Sequence, residues 1–478
     1  MKIIGNILPV DGESKKNFNL GIGLEKLDRD CFDPEKVYDK IAELGVKWVR
    51  IQSGWVKTEQ SKGVYDFDWL DKIVDNIIKR GMTPWMCLCY GNELYDETAD
   101  NKTGAIGRPP IFSKEAKDGW SNYVTAVTSH FKGRVPLYEI WNEPDGGWCW
   151  KHGVNGREYG RFAVDTSKAI KRGDMDAKIA GGSFCWGNML WLAETLSEGM
   201  GDAVDFITYH SYCMDVDTNT DDTYKNIKAT LKAFGSKADV IQGETGAPSQ
   251  RGGKGAISAG YWSEEAQAKY ILRLLVTDLA NGVYFSSVFS AVDMYENLSG
   301  SDSEKTRENY GFFGVLREEF SGNIATGKYS EKPSFKALQS IASLFDGNAS
   351  STYLPVSFAR NAHTNNSPKT SLEPYPVKRA DFEFQNGKKL FAYWKPVSVD
   401  TMSFEGTVNV YVAGMKKPKL VDPMSGEIFE LDKEIAGDPC IWNGKSLATI
   451  NDEVSNKDGM WNLNLPLKDY PMFLMFEE

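Results

Sequence analysis

Histidine, cysteine, basic runs and long apolar runs are all scarce in this chain, and each scarcity excludes a class of function. Only four histidines occur, His130, His152, His210 and His363, with no HExxH-type pair. A metal-dependent mechanism therefore lacks an evident ligand set, and no metal or organic cofactor is implied. The seven cysteines are scattered, without the CxxC spacing of a zinc site. Cys87 and Cys89 alternate on a strand-like segment and read as small buried hydrophobes. No apolar stretch reaches the roughly 20 residues that a membrane span requires. Lys and Arg number 55 against 66 Asp and Glu, a net charge of −11. Phosphate neutralisation needs clustered cations, so nucleic acid and anionic membranes are set aside as partners. The opening Met1–Phe18 is too short in its apolar part, and too polar after it, for a secretory leader. That implies a cytoplasmic protein, or an exported one whose leader has been removed. Nothing in the sequence fixes the oligomeric state.

What is present is an ordinary globular balance, 41% apolar and 25% charged. A length of 478 residues leaves room for a barrel of roughly 250 residues or more and a smaller module. Up to about residue 345, β-type apolar runs alternate with helical periods. The predicted strands are Phe18–Gly23, Trp48–Gln52, Thr83–Cys89, Leu137–Trp141, Ile179–Ser183, Phe206–His210, Val240–Gly243 and Val283–Phe289. Between them, Trp120, Tyr123, Val124, Val127 and Phe131 mark one face of a helix within 113–132. Ser263 caps a helix over 263–281 that stops at Asn281-Gly282, and Asp68–Arg80 and Glu158–Arg172 read the same way. Eight strand–helix repeats predict a closed (β/α)8 barrel over residues 1–348. The competing reading, an open doubly wound sheet, wants a glycine-rich phosphate turn, and Gly21-Ile22-Gly23 lacks the third glycine.

Beyond residue 349 helical periodicity gives way to short alternating segments. Phe382–Phe384 and Leu390–Trp394 flank Asn386-Gly387, a strong hairpin signal. Val408–Val412 alternates, Pro423–Gly426 is a turn, and Leu463–Leu465 and Met472–Phe476 are late strands. Residues 349–478 thus predict an antiparallel β-sandwich, with the polar stretch Asn361–Ser371 as a long loop. The first ten residues either join this module or close the barrel floor.

Barrel enzymes carry their chemistry at the C-terminal ends of the strands. Those ends offer Arg50, Tyr90-Gly91-Asn92, Asn142-Glu143-Pro144, His210-Ser211-Tyr212 and Glu244. Glu143 and Glu244 stand on strands four and seven, across the mouth from each other. Two facing carboxyl groups are what glycoside cleavage needs: one delivers a proton to the departing oxygen, the other attacks the anomeric carbon. Glu139, two residues before Trp141, gets no catalytic role. Aromatic residues make up 12%, with 14 tryptophans, and Trp55, Trp148, Trp150, Trp186 and Trp262 fall in loops after strand ends. Such faces stack on sugar rings. Asn92, Trp148 and Trp262 are therefore candidate substrate contacts. The glycine-rich loop Ser249–Gly260, with Arg251 and Lys254, follows Glu244 as a candidate lid.

The segment Tyr138-Glu139-Ile140-Trp141-Asn142-Glu143-Pro144 resembles the strand-four signature of the clan of retaining (β/α)8 glycoside hydrolases, and Gln242-Gly243-Glu244-Thr245-Gly246 resembles its strand-seven signature. Within that clan the chain is most similar to glycoside hydrolase family 39, which includes β-xylosidases. Supporting segments are Glu158-Tyr159 through Ala180-Gly181-Gly182, Val204–His210, and Lys332-Pro333-Ser334-Phe335. The resemblance covers roughly residues 18–345. It implies that Glu143 is the acid/base and Glu244 the nucleophile. Arg50, His210 and Tyr212 become substrate and nucleophile contacts, with Arg50 paired to Glu244 so that the nucleophile stays ionised. A dry setting near Trp141 is expected to keep Glu143 protonated, and Asn142 to bond the hydroxyl beside the reacting carbon. Strand eight of the family commonly carries a tryptophan where Phe285 stands here, a departure that bears on substrate preference. The implied activity is an exo-acting, retaining β-glycosidase of β-xylosidase type, acting on an oligosaccharide or glycoside. An endo-β-glycanase and a non-catalytic carbohydrate-binding relative are the alternatives; retention of both glutamates argues against the latter.

Overall fold

The structure, a computed structural model, describes residues 1–10, 17–96, 105–296, 305–345, 349–358, 376–415, 417–431, 441–442, 445–446 and 461–476. Eight parallel strands close into a barrel: Asn17–Gly23, Val46–Gln52, Thr83–Leu88, Leu137–Ile140, Lys178–Phe184, Phe206–Ser211, Asp239–Thr245 and Ser286–Val288. Closure runs from the first strand to the eighth, with Leu20, Gly21 and Ile22 beside Ser286, Ser287 and Val288. The open-sheet alternative is thereby excluded. Helices follow each strand, and their ends obey the local signals. Ser113 and Ser263 cap Lys114–His130 and Glu264–Asn281 by accepting from Ala116 N and Ala266 N. Gly282, at φ 76°, takes the left-handed turn that ends the latter. Among the described residues, no helix is long and apolar enough to cross a membrane.

The barrel interior is layered, because alternate residues of each strand point inward. At the floor Trp48, Trp85, Leu137, Ala180, Phe206, Ile241 and Phe285 form a separate apolar plug. Phe285 stacks on Trp48 at 4.8 Å and meets Trp85 edge-on at 5.2 Å. Two residues higher, the apolar layer gives way to charge: Arg50 and Glu139 are fully buried there. The residues above them open into the mouth.

Among the described residues, the C-terminal module holds an antiparallel sheet of seven strands, one of three and a two-stranded pair, Ile441–Trp442 with Lys445–Ser446. Strand Lys389–Trp394 is buried on both faces. Phe391 packs on Phe358 of the three-stranded sheet, and Tyr393 donates to Pro466 O there. Its other face meets the barrel, where Trp394 Nε1 donates to Asp217 Oδ1 at 2.7 Å. The Asn-Gly hairpin forms as the sequence suggests, with Phe382 opposite Leu390. The chain start joins this module: Lys2–Asn6 pairs with Glu427–Glu430 at the edge of the larger sheet. The polar stretch Asn361–Ser371 lies outside the described residues.

Candidate active site

Arg50 organises the centre of the barrel. Its guanidinium is fully buried and donates from Nε and Nη2 to Glu139 Oε2 at 2.9 and 2.6 Å. Nη2 also reaches Asn142 Oδ1 at 2.8 Å, while Nη1 donates to Glu244 Oε2 at 2.6 Å and to Glu25 Oε1 at 3.3 Å. A planar fork of five N–H groups fits this many acceptors where an ammonium would not. Burial works against its charge, but Glu139, Glu244 and Glu25 outweigh that and hold Arg50 cationic. Burial likewise pushes the Glu139 carboxyl up, yet Arg50 and His210 draw it down to about 2. Glu139 is thus a buried anion that anchors the two cations beside it. Position 243 must stay small: a Cβ there would sit 3.2 Å from Glu139 Oε1 and 3.3 Å from His210 Nε2.

Glu244 projects from the seventh strand with both oxygens held. Oε2 takes the Arg50 bond, and Tyr212 OH donates to Oε1 at 2.7 Å. Glu143 follows the fourth strand, where Trp141 and Glu143 adopt φ 66° and 45°. Left-handed backbone at two non-glycine residues is strained, of order 1–3 kcal/mol each. Bonds from Trp141 N to Leu88 O and from Glu143 N to Ser183 O hold it in place. That twist aims Glu143 at the mouth, where its partners are Trp148 Nε1, at 2.6 Å from Oε2, and His210 Nδ1, at 3.2 Å from Oε1. His210 Nδ1 also lies 3.9 Å from Glu244 Oε2. Burial alone would depress the imidazole; Glu244, Glu139 and Glu143 reverse this and raise it to about 9. One ligand atom from each of Glu143, His210 and Glu244 lies within 4.8 Å of the others. A divalent cation would find donors at that spacing, though Arg50 and protonated His210 already supply the positive charge these carboxylates call for.

A cavity of about 450 Å³ opens over the pair. Trp148 and Trp186, 5.8 Å apart and edge-to-face, wall the Glu143 side. Asp145 fixes Trp186 by accepting from the backbone N–H groups of Cys185 and Trp186, each at 2.9 Å. Gly255, Ala256 and Ile257 of the loop after strand seven close another side. That loop is tied down where Ser249 N and Lys254 N reach Phe312 O and Tyr310 O. A further wall is formed by Glu25, Lys26, Arg29 and Gln52.

Of the candidates named from sequence, Asn142, Tyr212 and Trp148 line this cavity with the two glutamates, and Arg50 and His210 lie directly beneath. Asn92 and Trp262 are not brought there. Asn92 is buried with its amide donating to Glu59 O at 2.8 Å and its Oδ1 accepting from Leu94 N, so it braces its own loop. Trp262 is buried against Tyr270, with Nε1 bonded to Ile257 O. Trp55 and Trp150 are also core residues, bonded to Glu59 and Glu158. The indole touching Glu143 belongs to Trp148, while Trp141 donates to Cys149 O beneath it. Phe285 lies in the floor plug, so it occupies no sugar platform; the aromatic at the mouth end of strand eight is Phe289, which lines the cavity and precedes a cis peptide to Ser290. Glu25 was missed. It stands just past the end of strand one, so the same strand-end rule would have found it. Burial, partly opposed by Arg50 and reinforced by Glu244, pushes it up to about 7.

Known proteins resemble this chain in sequence and in fold. Residues 33–348 match the glycosyl hydrolases family 39. A β-xylosidase of Geobacillus stearothermophilus is 27% identical over 165 residues, 32% of this chain and 32% of that protein. A β-xylosidase of Caldicellulosiruptor saccharolyticus is 22% identical over 206 residues, 40% of this chain and 41% of that one. The alignments thus span about a third and two fifths of those relatives' lengths. A family 39 glycoside hydrolase from Bacteroides cellulosilyticus WH2 superposes with a TM-score of 0.67 at 16% identity, covering 98% of this chain and 83% of that one. At that identity the likeness is one of fold.

Proposed function

The chain belongs to glycosyl hydrolase family 39, and from that premise we propose that it is a retaining, exo-acting β-glycosidase with a preference for β-xylosides. The observation that carries this reading is the spacing of Glu143 and Glu244, whose nearest carboxyl oxygens fall within 4.8 Å. Retaining enzymes hold their carboxyl groups about 5–5.5 Å apart, whereas inverting ones leave roughly 6.5–9.5 Å for a water. Glu244 attacks the anomeric carbon while Glu143 protonates the departing oxygen. The glycosyl-enzyme ester so formed is cleaved by a water from which Glu143, now a carboxylate, takes the proton. Arg50 and Tyr212 fix the nucleophile and prevent it from turning away. Asn142 has its Oδ1 committed to Arg50 and one Nδ2 hydrogen directed at Cys149 Sγ, which leaves the second Nδ2 hydrogen for the hydroxyl beside the reacting carbon. The curated relatives named as β-xylosidases support the choice of sugar. A cavity of about 450 Å³, towards the small end of the roughly 300–1,000 Å³ seen for small-molecule sites, suits one chain end better than a long polymer.

The test is an NMR time course on an aryl β-xyloside. Retention requires β-xylose as the first product, and initial release of the α anomer refutes it. Glu244→Ala should abolish turnover without loss of fold. A panel of aryl β-glycosides then ranks the sugars, and internal cleavage of xylan would replace the exo assignment with an endo one.

A further inference from the structure

The wall formed by the loop after strand one contains polar atoms that the mechanism leaves unused. Glu25 Oε2 is buried with no hydrogen-bond partner, and so are Arg29 Nε and Nη1. Both residues line the cavity, and their exposures are 2% and 4%. Unmade bonds of this kind destabilise a fold and recur where a ligand completes them. Nor is the placement accidental. Glu25 folds back over Gly23, where any Cβ would stand 2.0 Å from Oε2, so only glycine at 23 admits that carboxyl. Lys26 and Asp30 take φ 68° and 56° and reverse the chain tightly enough to bring residues 25 and 29 to one wall. Gln52 locks the turn: its Oε1 accepts from Lys26 N at 3.1 Å and Arg29 Nη2 at 2.7 Å.

The charges on this wall are balanced. Lys26 Nζ meets Glu296 at 2.6 Å, and Arg29 lies 3.6 Å from Asp28. An anionic substituent would find no net positive field. A carboxylate acceptor beside a guanidinium donor instead complements groups that both donate and accept, as hydroxyls do. We propose that Glu25 and Arg29 read two adjacent ring hydroxyls of the sugar under attack, Glu25 Oε2 accepting from one and Arg29 Nη1 donating to its neighbour. This rests on the glycosidase reading above and specifies which residues select the sugar.

The experiment is a cycle of enzyme and substrate deletions. Aryl β-xyloside and its 2-, 3- and 4-deoxy analogues are assayed with wild type, Glu25→Ala and Arg29→Met. Asn142 accounts for a loss on the 2-deoxy analogue, so the pair should show as losses of roughly 10- to 100-fold in kcat/KM on the 3- and 4-deoxy analogues, the range for a hydrogen bond to a charged group. Each variant should lose a similar factor on the parent and almost nothing further on its own matching analogue. Losses that multiply on every analogue would mean a structural role and overturn the pairing. Preference for a uronide that vanishes in Arg29→Met would also overturn it, in favour of an anion site. Should Arg29→Met not fold, Arg29→Lys removes the fork and keeps the charge. If wild type cleaves no glycoside, the glycosidase reading fails on its own. The pair is then decided by calorimetry with methyl β-xyloside and its deoxy analogues on wild type and Glu25→Ala: binding that loses the same matching increment sustains it, and absence of binding overturns it.

Discussion

Replacing Arg50 perturbs the molecule most informatively, because one buried side chain bonds the proposed nucleophile, Asn142 and a structural carboxylate at once. Arg50→Lys keeps the charge but offers three donors from a single atom, so Glu139 and Glu244, which the fork meets from different nitrogens, are not both satisfied. A bond to a charged group contributes about 1.5–3 kcal/mol. Loss of the Glu244 contact alone therefore lowers kcat/KM by about 10- to 100-fold. Arg50→Met goes further and leaves Glu139 buried without its main counter-charge, a loss of about 3–5 kcal/mol in stability. The acid side of the stability curve carries a second signature. Glu139 is depressed to about 2 in the folded protein from an ordinary value of 4.5. Its contribution is therefore complete above the unfolded value and is lost as pH falls through the folded one. Without Arg50 that folded value rises, so acid unfolding of Arg50→Met begins at higher pH. Steady-state kinetics on an aryl β-xyloside, with urea and acid titrations, measure all three effects. An Arg50→Lys enzyme within about threefold of wild type in kcat/KM, with unchanged urea stability, would refute the reasoning.

Trp148→Phe keeps a ring on the Glu143 side of the cavity but deletes the 2.6 Å bond to Glu143. Its kcat/KM should fall about tenfold on alkyl xylosides and little on dinitrophenyl xyloside, whose leaving group needs no acid; equal losses would count against Glu143 as the acid. Asp278 is buried beneath the barrel wall and raised from 3.8 to about 7 by burial, with Ser286 and Tyr209 opposing. The folded chain binds that proton more tightly than the unfolded chain does, so stability drops as pH climbs between those values, by about 4 kcal/mol at most. Asp278→Asn should be more stable than wild type near about pH 8 and gain little near pH 4, as urea curves would show. Arg273 joins the barrel to the β-module, pairing with Asp217 and donating to Val397 O at 2.7 Å. Arg273→Met leaves Asp217 a buried, unpaired charge and should cost about 3–5 kcal/mol, partly recovered by adding Asp217→Asn; urea unfolding of the single and double variants checks this.

What the sequence made legible follows from how far each side chain's position depends on its neighbours along the chain. Glu143 and Glu244 end apolar strands, and strand direction in a (β/α)8 barrel places both at one rim whatever the loops do. Ser113 and Ser263 cap their helices through bonds spanning three residues, a local matter. Loop side chains have no such constraint. Asn92 and Trp262 carry the right chemistry, but the turns around them direct one to Glu59 O and the other to Ile257 O. Strand eight shows a subtler failure. The apolar run Val283–Phe289 offers a phenylalanine near each end, and only Ser286–Val288 forms ladder. Composition alone does not tell which phenylalanine plugs the floor and which reaches the mouth. Glu25 follows strand one and obeys the same rim rule, but Arg29 joins it on that wall through a loop that reverses at Lys26 and Asp30 in left-handed conformations, with no glycine to announce the turn.

Glu143 and Glu244 are identical side chains less than 5 Å apart at their nearest atoms, and their partners alone assign them different work. Glu244 receives a guanidinium on one oxygen and a phenol on the other, which neutralises its charge and leaves one orientation. Glu143 receives an uncharged indole N–H and His210. In the double displacement proposed above, Glu244 would become a neutral ester and Glu143 a carboxylate, so negative charge would cross the site. His210 Nδ1, at 3.2 Å from one and 3.9 Å from the other, is adjacent to that charge before and after the step. Arg50 serves only the starting side of the transfer. Buried Glu139, joined to Arg50 and lying 3.8 Å from His210 Nε2, keeps both cations in place while the charge moves. In that proposed mechanism the anion that takes no part in the chemistry is the one that anchors both cations while the other two exchange roles.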